Sequence, residues 1–286
     1  MKNFIIRNSV FIYFALTFLI TWGGILVVTG LEGFLGKTLI PESQMPLLYL
    51  VTLLGPTISG IILNRIVYGR TGYHKLLNPL FACHRGIQWY LASILLIPIL
   101  LTAILFVLSL ISSSYLPGIF AGNNTNSLLI SGITAGIMVG LFEELGWTGF
   151  AIPRLRQRFN VFQTGLIVGL LWGLWHMPLF LGNIRNSEEI PPVIYLLVLL
   201  FSFLPPIRII MVWIYDRTKS LFLVILMHAS LTASILIFPP RQVTAVQIVT
   251  YDLILSVILW LIVAILAIIP KENFAEKPLA GEEHIK

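Results

Sequence analysis

Charged residues are scarce in this 286-residue sequence: Lys, Arg, Asp and Glu together make up 10% of it, whereas 57% is hydrophobic. Soluble domains contain roughly 25% charged residues, so the composition excludes a soluble globular protein. Cysteine is also scarce. Because Cys83 is the single cysteine, a disulfide within this sequence is excluded. No nucleic-acid-binding motif accompanies the formal net charge of +6, so we expect no nucleic acid partner.

Long apolar runs occupy most of the sequence. Each is about 20 residues long, the length of helix that crosses roughly 30 Å of hydrocarbon. The pattern predicts an all-α polytopic membrane protein with about eight transmembrane helices. The connections are too short to hold a soluble catalytic domain, so any chemistry takes place in the membrane or at its surface. The predicted spans are residues 10–30, 47–66, 88–111, 128–149, 162–182, 192–214, 220–238 and 247–269.

Basic residues concentrate in alternate connections, which predicts the orientation of the chain. By the positive-inside rule, both termini lie in the cytoplasm. We expect one transmembrane domain over residues 1–270 and a polar cytoplasmic tail over 271–286. Low cysteine content and the lack of organelle signals favour the lipid bilayer of a prokaryotic plasma membrane. The basic residues on the predicted cytoplasmic side are Lys2, Arg7, Arg65, Arg70, Lys75, Arg85, Arg154, Arg156, Arg158, Arg217, Lys219, Lys271, Lys277 and Lys286.

Four ionisable residues lie deep in the predicted spans: Glu143 and Glu144 in the fourth, His176 in the fifth and His228 in the seventh. Ionisable groups are costly in lipid, so those found there usually mark function. We expect the two glutamates about seven residues, or roughly 10 Å, from the cytoplasmic end of their span. Two adjacent carboxylates at that depth do not both ionise without partners, and one of them suits a general base.

Two further polar residues extend this set. Thr232 follows His228 by four positions, so both lie on one helix face and can act on one substrate group. Arg208, in the sixth span, lies at a depth close to that of the glutamates. It either extends to the membrane surface or pairs with one glutamate, which leaves the other free to act as a base.

Three motifs carry a resemblance to a known family and span about residues 128–235. They are similar to those of the CPBP intramembrane proteases, which include type II CAAX prenyl endopeptidases and bacteriocin-processing or self-immunity (Abi-like) proteins. Eight spans also fit that family. The motifs are Glu143-Glu144-Leu145-Gly146-Trp147-Thr148-Gly149-Phe150, Trp172-Gly173-Leu174-Trp175-His176 and His228-Ala229-Ser230.

The resemblance implies an intramembrane endopeptidase and a role for each site residue. Glu143 would activate water with the help of His176, and His228 and Thr232 would stabilise the oxyanion. Glu144 would be the structural partner of a basic residue. The substrate would be a membrane-associated peptide or protein, and prenylated C-termini are the best-known case in the family.

Two positions depart from the family pattern. Thr148 stands where the family has Arg, and Thr232 stands where it has Asn. A threonine hydroxyl can still donate one hydrogen bond to an oxyanion. The change at Thr148 removes a charge partner of Glu144, and we hypothesise that Arg208 replaces it.

Metal dependence is left open by the sequence. Glu143, His176 and His228 can form a catalytic zinc set with an open position for water. No HExxH motif is present, however, and the same groups can activate water without a metal. We therefore favour a glutamate-dependent endopeptidase without obligatory zinc over a metallo-endopeptidase.

Two other functions compete with proteolysis. A catalytically inactive scaffold or self-immunity protein fits the departures at Thr148 and Thr232. A proton-coupled transporter also uses buried carboxylates and histidines, but polar residues thin out across the outer half of the spans. We expect the protease to open toward the cytoplasm. For Glu143 and His176 to meet in any shared site, residues 150–165 must not form a tight turn, since His176 would then lie several turns further from the cytoplasm than Glu143. An interfacial segment there would supply the length.

Overall fold

Helices account for nearly all of the structure. The computed structural model describes residues 2–120, 125–184, 190–240 and 243–269, and no β-strand occurs in these ranges. The prediction of an all-α membrane protein is confirmed, whereas the predicted tail over 271–286 lies outside the described residues. The α-helices are α1 (Lys2–Arg7), α2 (Ser9–Phe34), α3 (Met45–Tyr68), α4 (Gly72–Leu77), α5 (Ile87–Ser109), α6 (Thr125–Gly146), α7 (Ile152–Leu155), α8 (Val161–Ile184), α9 (Pro192–Phe201), α10 (Leu204–Thr218), α11 (Leu221–Ile237) and α12 (Ala245–Ile268).

Six helical segments of the described chain are long and apolar enough to cross a membrane. The protein is therefore an integral, multi-pass membrane protein. These segments are α2, α3 with the short helices around it, α5, α6 to α7, α8 and α12. The seventh predicted span corresponds to α11, whose 17 residues measure only about 25 Å. The count of eight spans and the cytoplasmic position of both termini stay predictions.

The sixth predicted span, residues 192–214, is not one continuous helix. It divides into α9 and α10, because Pro205 and Pro206 lie in the first turn of α10 and proline is tolerated in a helix only near its start. The carbonyl of Ser202 at the break accepts hydrogen bonds from Ser256 Oγ at 2.6 Å and Trp260 Nε1 at 3.2 Å. The expectation of an unbroken helix there was wrong, and α12 satisfies the backbone group that the break exposes.

The fourth span is longer than predicted, and this length aligns the glutamates with His176. Helix α6 continues through a π-helical turn, Trp147–Ala151, into α7. Glu143 thus lies 12 positions before the end of the helical segment, rather than about seven. The connection of residues 156–160 is short, so the expected interfacial segment is absent. The expectation that a tight turn would keep His176 away from Glu143 was wrong, because the extension of α6 supplies the length instead. His176 lies 15 positions into α8, which brings it level with Glu143.

Glycines form two seams that bring the site helices close together. On α6, a Cβ added at Gly140 would lie 2.8 Å from the carbonyl oxygen of Ile225 on α11. On α8, a Cβ added at Gly169 would lie 2.6 Å from the Cα of Pro205 on α10. Small residues at four-residue spacing allow helix backbones to approach this closely in lipid. The two seams fix α6 against α11 and α8 against α10, which carry the remaining site residues.

We expect Gly140→Ala to lower the thermal unfolding midpoint in detergent micelles. The added methyl group would press on the backbone of α11, and such overpacking costs about 1–3 kcal/mol. Gly23→Ala is the matched control, because nothing lies within 4 Å of a Cβ at that helical position. An equal midpoint for both variants would show that the α6–α11 seam does not limit stability.

Candidate active site

Glu144 is held by a complete set of buried partners. Its Oε1 accepts hydrogen bonds from Arg208 Nη1 at 2.8 Å and from His228 Nδ1 at 2.7 Å. Its Oε2 accepts from Arg208 Nη1 at 3.0 Å and from the hydroxyl of Thr148. The side chains of Glu144 and Arg208 are both fully buried. A buried carboxylate requires such pairing, so the geometry gives Glu144 a structural position.

Arg208 does not extend to the membrane surface. Its guanidinium carbon lies 4.1 Å from the centroid of the Trp172 ring, a cation–π arrangement. The guanidinium is thus fixed between the Glu144 carboxylate and the face of an indole. The structure therefore pairs Arg208 with Glu144. The family pattern has an arginine at the position of Thr148, so Arg208 supplies the cation that this position lacks.

Glu143 has a different environment from its neighbour. Its Oε2 accepts hydrogen bonds from Trp172 Nε1 at 2.8 Å and Trp147 Nε1 at 3.2 Å. No lysine or arginine pairs with Glu143 among the described residues, and its side chain lines a cavity that Glu144 does not line. Two neutral donors orient this carboxylate, and its position in the cavity leaves it available to a ligand.

Both histidines line the cavity beside Glu143, and each has its Nδ1 atom in a hydrogen-bond contact. Nδ1 of His176 contacts the carbonyl of Trp172 at 2.8 Å, so this nitrogen carries the proton. Nδ1 of His228 contacts Glu144, and its Nε2 lies 4.0 Å from Oε2 of Glu143. The protonation is inferred from the acceptors that face each ring. In both histidines, one nitrogen is anchored and the other is free for chemistry.

A cavity of about 480 Å³ brings the predicted catalytic residues together. Glu143, His176, His228 and Thr232 all line it. The rest of its wall is mostly apolar and comes from the α2–α3 connection, α3, α6, α8, the α9–α10 break and α11. The other lining residues are Thr38, Leu39, Ile40, Met45, Leu48, Tyr49, Thr52, Leu53, Val139, Trp172, Leu179, Phe180, Phe203, Leu204, Leu231, Ile235 and Leu236.

The donors to Glu143 were missed as site residues by sequence reasoning. Trp147 follows Glu143 by four positions, and Trp172 precedes His176 by four. Residues four apart share a helix face, so this spacing was the available signal. The Trp172 ring lies between the two imidazoles, with centroid distances of 5.4 Å to His176 and 5.1 Å to His228. It orients the carboxylate and packs against both histidines.

The possible zinc ligands named from the sequence are Glu143, His176 and His228. Within the described residues, no group of three or more His, Cys, Asp or Glu side chains is arranged to hold a metal ion. Oε2 of Glu143 accepts hydrogen bonds from two indoles and Nδ1 of His228 contacts Glu144, so neither atom is available to a metal in this arrangement. We derive no step through a zinc ion.

Trp172→Phe is expected to lower any activity that depends on Glu143 by about tenfold or more. The change keeps most of the aromatic bulk but removes a hydrogen bond to a carboxylate, and such bonds contribute about 1.5–3 kcal/mol. The rate of turnover and the thermal midpoint should be measured together. Phe18→Leu, in the outer part of the aromatic packing, is the control. Full activity in Trp172→Phe would show that the indole does not orient Glu143.

The fold and the site together define a polytopic membrane protein with a buried carboxylate and two imidazoles on an apolar cavity. Residues 125–234 match the Rce1-like family, described as type II CAAX prenyl endopeptidase Rce1-like. A protein named CAAX prenyl protease 2 from Methanococcus maripaludis is 29% identical over 143 residues, which cover 49% of this chain and 50% of that protein. Both matches support the resemblance to the CPBP intramembrane proteases that the sequence motifs indicate. The chain spans about half the length of the curated relative it matches.

Proposed function

We propose that the protein is an intramembrane endopeptidase that hydrolyses a peptide bond of a membrane-associated peptide or protein. The observation that carries this proposal is the difference in environment between the two adjacent glutamates. Glu144 is bound by Arg208, Thr148 and His228, whereas Glu143 has only indole donors and lines the cavity. The matching family and the name of the relative support a protease.

In the proposed reaction, Glu143 acts as the general base. A water molecule beside the carboxylate is oriented by Nε2 of His176, gives one proton to Glu143 and attacks the carbonyl carbon of the substrate. The oxygen–carbon bond forms as the carbonyl π-electrons move onto oxygen. When the tetrahedral intermediate collapses, the carbon–nitrogen bond breaks and Glu143 gives its proton to the departing amine. Water is the only co-reactant.

His228 and Thr232 stabilise the negative oxygen of the intermediate. As an imidazolium, with a proton on each nitrogen, His228 donates from Nε2 to that oxygen while its Nδ1–H remains hydrogen-bonded to Glu144. Thr232 lies one helical turn further along α11 and lines the same cavity, so its hydroxyl can donate to the same oxygen. Removing one such donor typically reduces turnover by about 10²–10³-fold. Arg208 and Thr148 act through Glu144, which fixes the His228 ring.

The proposed function is tested by incubating the purified protein with membrane-anchored peptides, both prenylated and unprenylated, and identifying the products by mass spectrometry. We expect cleavage of at least one peptide and an unchanged rate after treatment with a metal chelator, because a carboxylate can take the proton from water without a metal. If no peptide is cleaved, the endopeptidase proposal fails for these substrates. If the chelator abolishes cleavage and zinc restores it, the metal-free mechanism is wrong.

A further inference from the structure

The cavity extends from the site toward one end of the bundle only. Beyond the site residues, it includes Val139 on α6, Phe180 on α8 and Leu236 on α11. Val139 precedes Glu143 on α6, whereas Phe180 follows His176 on α8 and Leu236 follows His228 on α11. Helix α6 runs antiparallel to α8 and α11. Val139, Phe180 and Leu236 therefore lie on the same side of the site, toward the same end of the bundle. That end carries the α2–α3 connection, residues 35–44, whose Thr38, Leu39 and Ile40 line the cavity.

The opposite end of the bundle carries the basic residues. In the described chain these lie at the end of α1, at the end of α3, between α3 and α5, and around the α7–α8 and α10–α11 connections. Among the described residues, the end near the cavity mouth carries two acidic residues, Glu32 and Glu42, and one basic residue, the exposed Lys37. The basic residues are Arg7, Arg65, Arg70, Lys75, Arg85, Arg154, Arg156, Arg158, Arg217 and Lys219.

We propose that the cavity opens to the extracytoplasmic side of the membrane and takes its substrate from there. Basic connections remain in the cytoplasm during insertion, so the end that holds them faces inward and the end with residues 35–44 faces outward. The expectation of a cytoplasmic opening, made from the sequence, is thereby reversed. At the mouth, Leu39 is 75% exposed and Tyr49 is 58% exposed, so the cavity is reached from the surface there.

The chemistry of the wall indicates which substrates fit. Apart from Glu143 and the two histidines, the lining residues that the structure describes include no ionisable side chain other than the phenol of Tyr49. A charged substrate side chain would lose its hydration here without gaining a partner. The substrate is therefore a peptide segment with uncharged, apolar residues around the cleaved bond, exposed at the outer leaflet. This substrate assignment rests on the proposed endopeptidase function, whereas the side of the opening does not.

Two single-cysteine proteins test the side of the opening. Cys83 is exposed and lies in the connection before α5, at the basic end. Leu39→Cys in a Cys83→Ser background places the only thiol at the cavity mouth. Intact cells that express each protein are treated with a membrane-impermeant maleimide, before and after permeabilisation. We expect Leu39→Cys to react in intact cells and Cys83 to react only after permeabilisation. Any other pattern overturns the proposal.

A second measurement separates this proposal from the proposed function. The protein is reconstituted into vesicles, the orientation is assigned by maleimide labelling of Cys83, and an apolar anchored peptide is added to one side at a time. Cleavage from the side opposite Cys83 supports the outward opening, and cleavage from the Cys83 side alone contradicts it. Absence of cleavage from both sides counts against the endopeptidase function, while the labelling pattern still decides where the cavity opens.

Discussion

Glu143→Gln is expected to reduce peptide hydrolysis by about 10²–10⁴-fold, the usual contribution of a general base. Glutamine keeps the size of the side chain and can still accept hydrogen bonds from Trp147 and Trp172, but it cannot take a proton from water. The thermal midpoint should stay close to that of the wild type. The measurement is the initial rate of peptide cleavage in micelles at matched protein concentration.

Glu32→Gln is the matched control for this substitution. Glu32 forms an exposed pair with Lys37 at 3.6 Å and does not line the cavity, so its loss should leave the rate unchanged. Hydrolysis that persists at the wild-type rate in Glu143→Gln would contradict the assigned base. If a cellular phenotype survives in Glu143→Gln while hydrolysis is lost, the protein acts in the cell as a scaffold or self-immunity protein.

Arg208→Ala is expected to destabilise the fold by about 3–5 kcal/mol, because it leaves the buried Glu144 carboxylate without its cation. His228 would lose its orientation at the same time, so activity should fall with stability. Thermal unfolding in micelles measures the first effect. Arg158→Ala removes an exposed arginine at the basic end and serves as the control.

Two second-site changes separate loss of charge pairing from loss of packing. In Arg208→Ala, adding Thr148→Arg should restore much of the stability, because it returns a cation to the position four residues after Glu144. Adding Glu144→Gln should also raise the midpoint, since no buried charge is then left alone, but it should not restore activity. An Arg208→Ala protein as stable as the wild type would contradict the Arg208–Glu144 hypothesis.

Residue spacing and burial in lipid were sufficient to select the main site residues. Glu143, His176, His228 and Thr232 were chosen because ionisable or polar groups are costly at membrane depth and because four-residue spacing gives a shared helix face. The structure places all four on one cavity. The span limits were also close for the first three spans, where continuous apolar runs leave little choice of boundary.

Other features depended on contacts between distant segments. In the sequence, Trp172 does not differ from other apolar residues of its span. Only the packing of α8 near α6 places its indole against the Glu143 carboxylate. The extension of α6 through the π-helical turn could not be predicted from hydropathy, because Arg154 and Arg156 suggested that the helix had already left the membrane. The break before Pro205 did have a local signal, since two consecutive prolines rarely lie inside a helix.

The end of the bundle toward which the cavity extends also needed the three-dimensional arrangement. Val139, Phe180 and Leu236 are unremarkable apolar residues in sequence, and only the antiparallel packing of their helices places them at one end. Charge distribution gave the predicted orientation of the bundle but not the position of the cavity within it.

The most direct test of the account is hydrolysis of an accepted peptide in water enriched in ¹⁸O. The wild-type protein, treated with a chelator, should release a product whose new carboxyl group carries ¹⁸O and whose amount falls by about 10²-fold or more in Glu143→Gln. That result would establish water attack that depends on Glu143 and needs no metal. A product without ¹⁸O, or one formed equally by Glu143→Gln, would contradict the central claim that Glu143 activates water in the membrane.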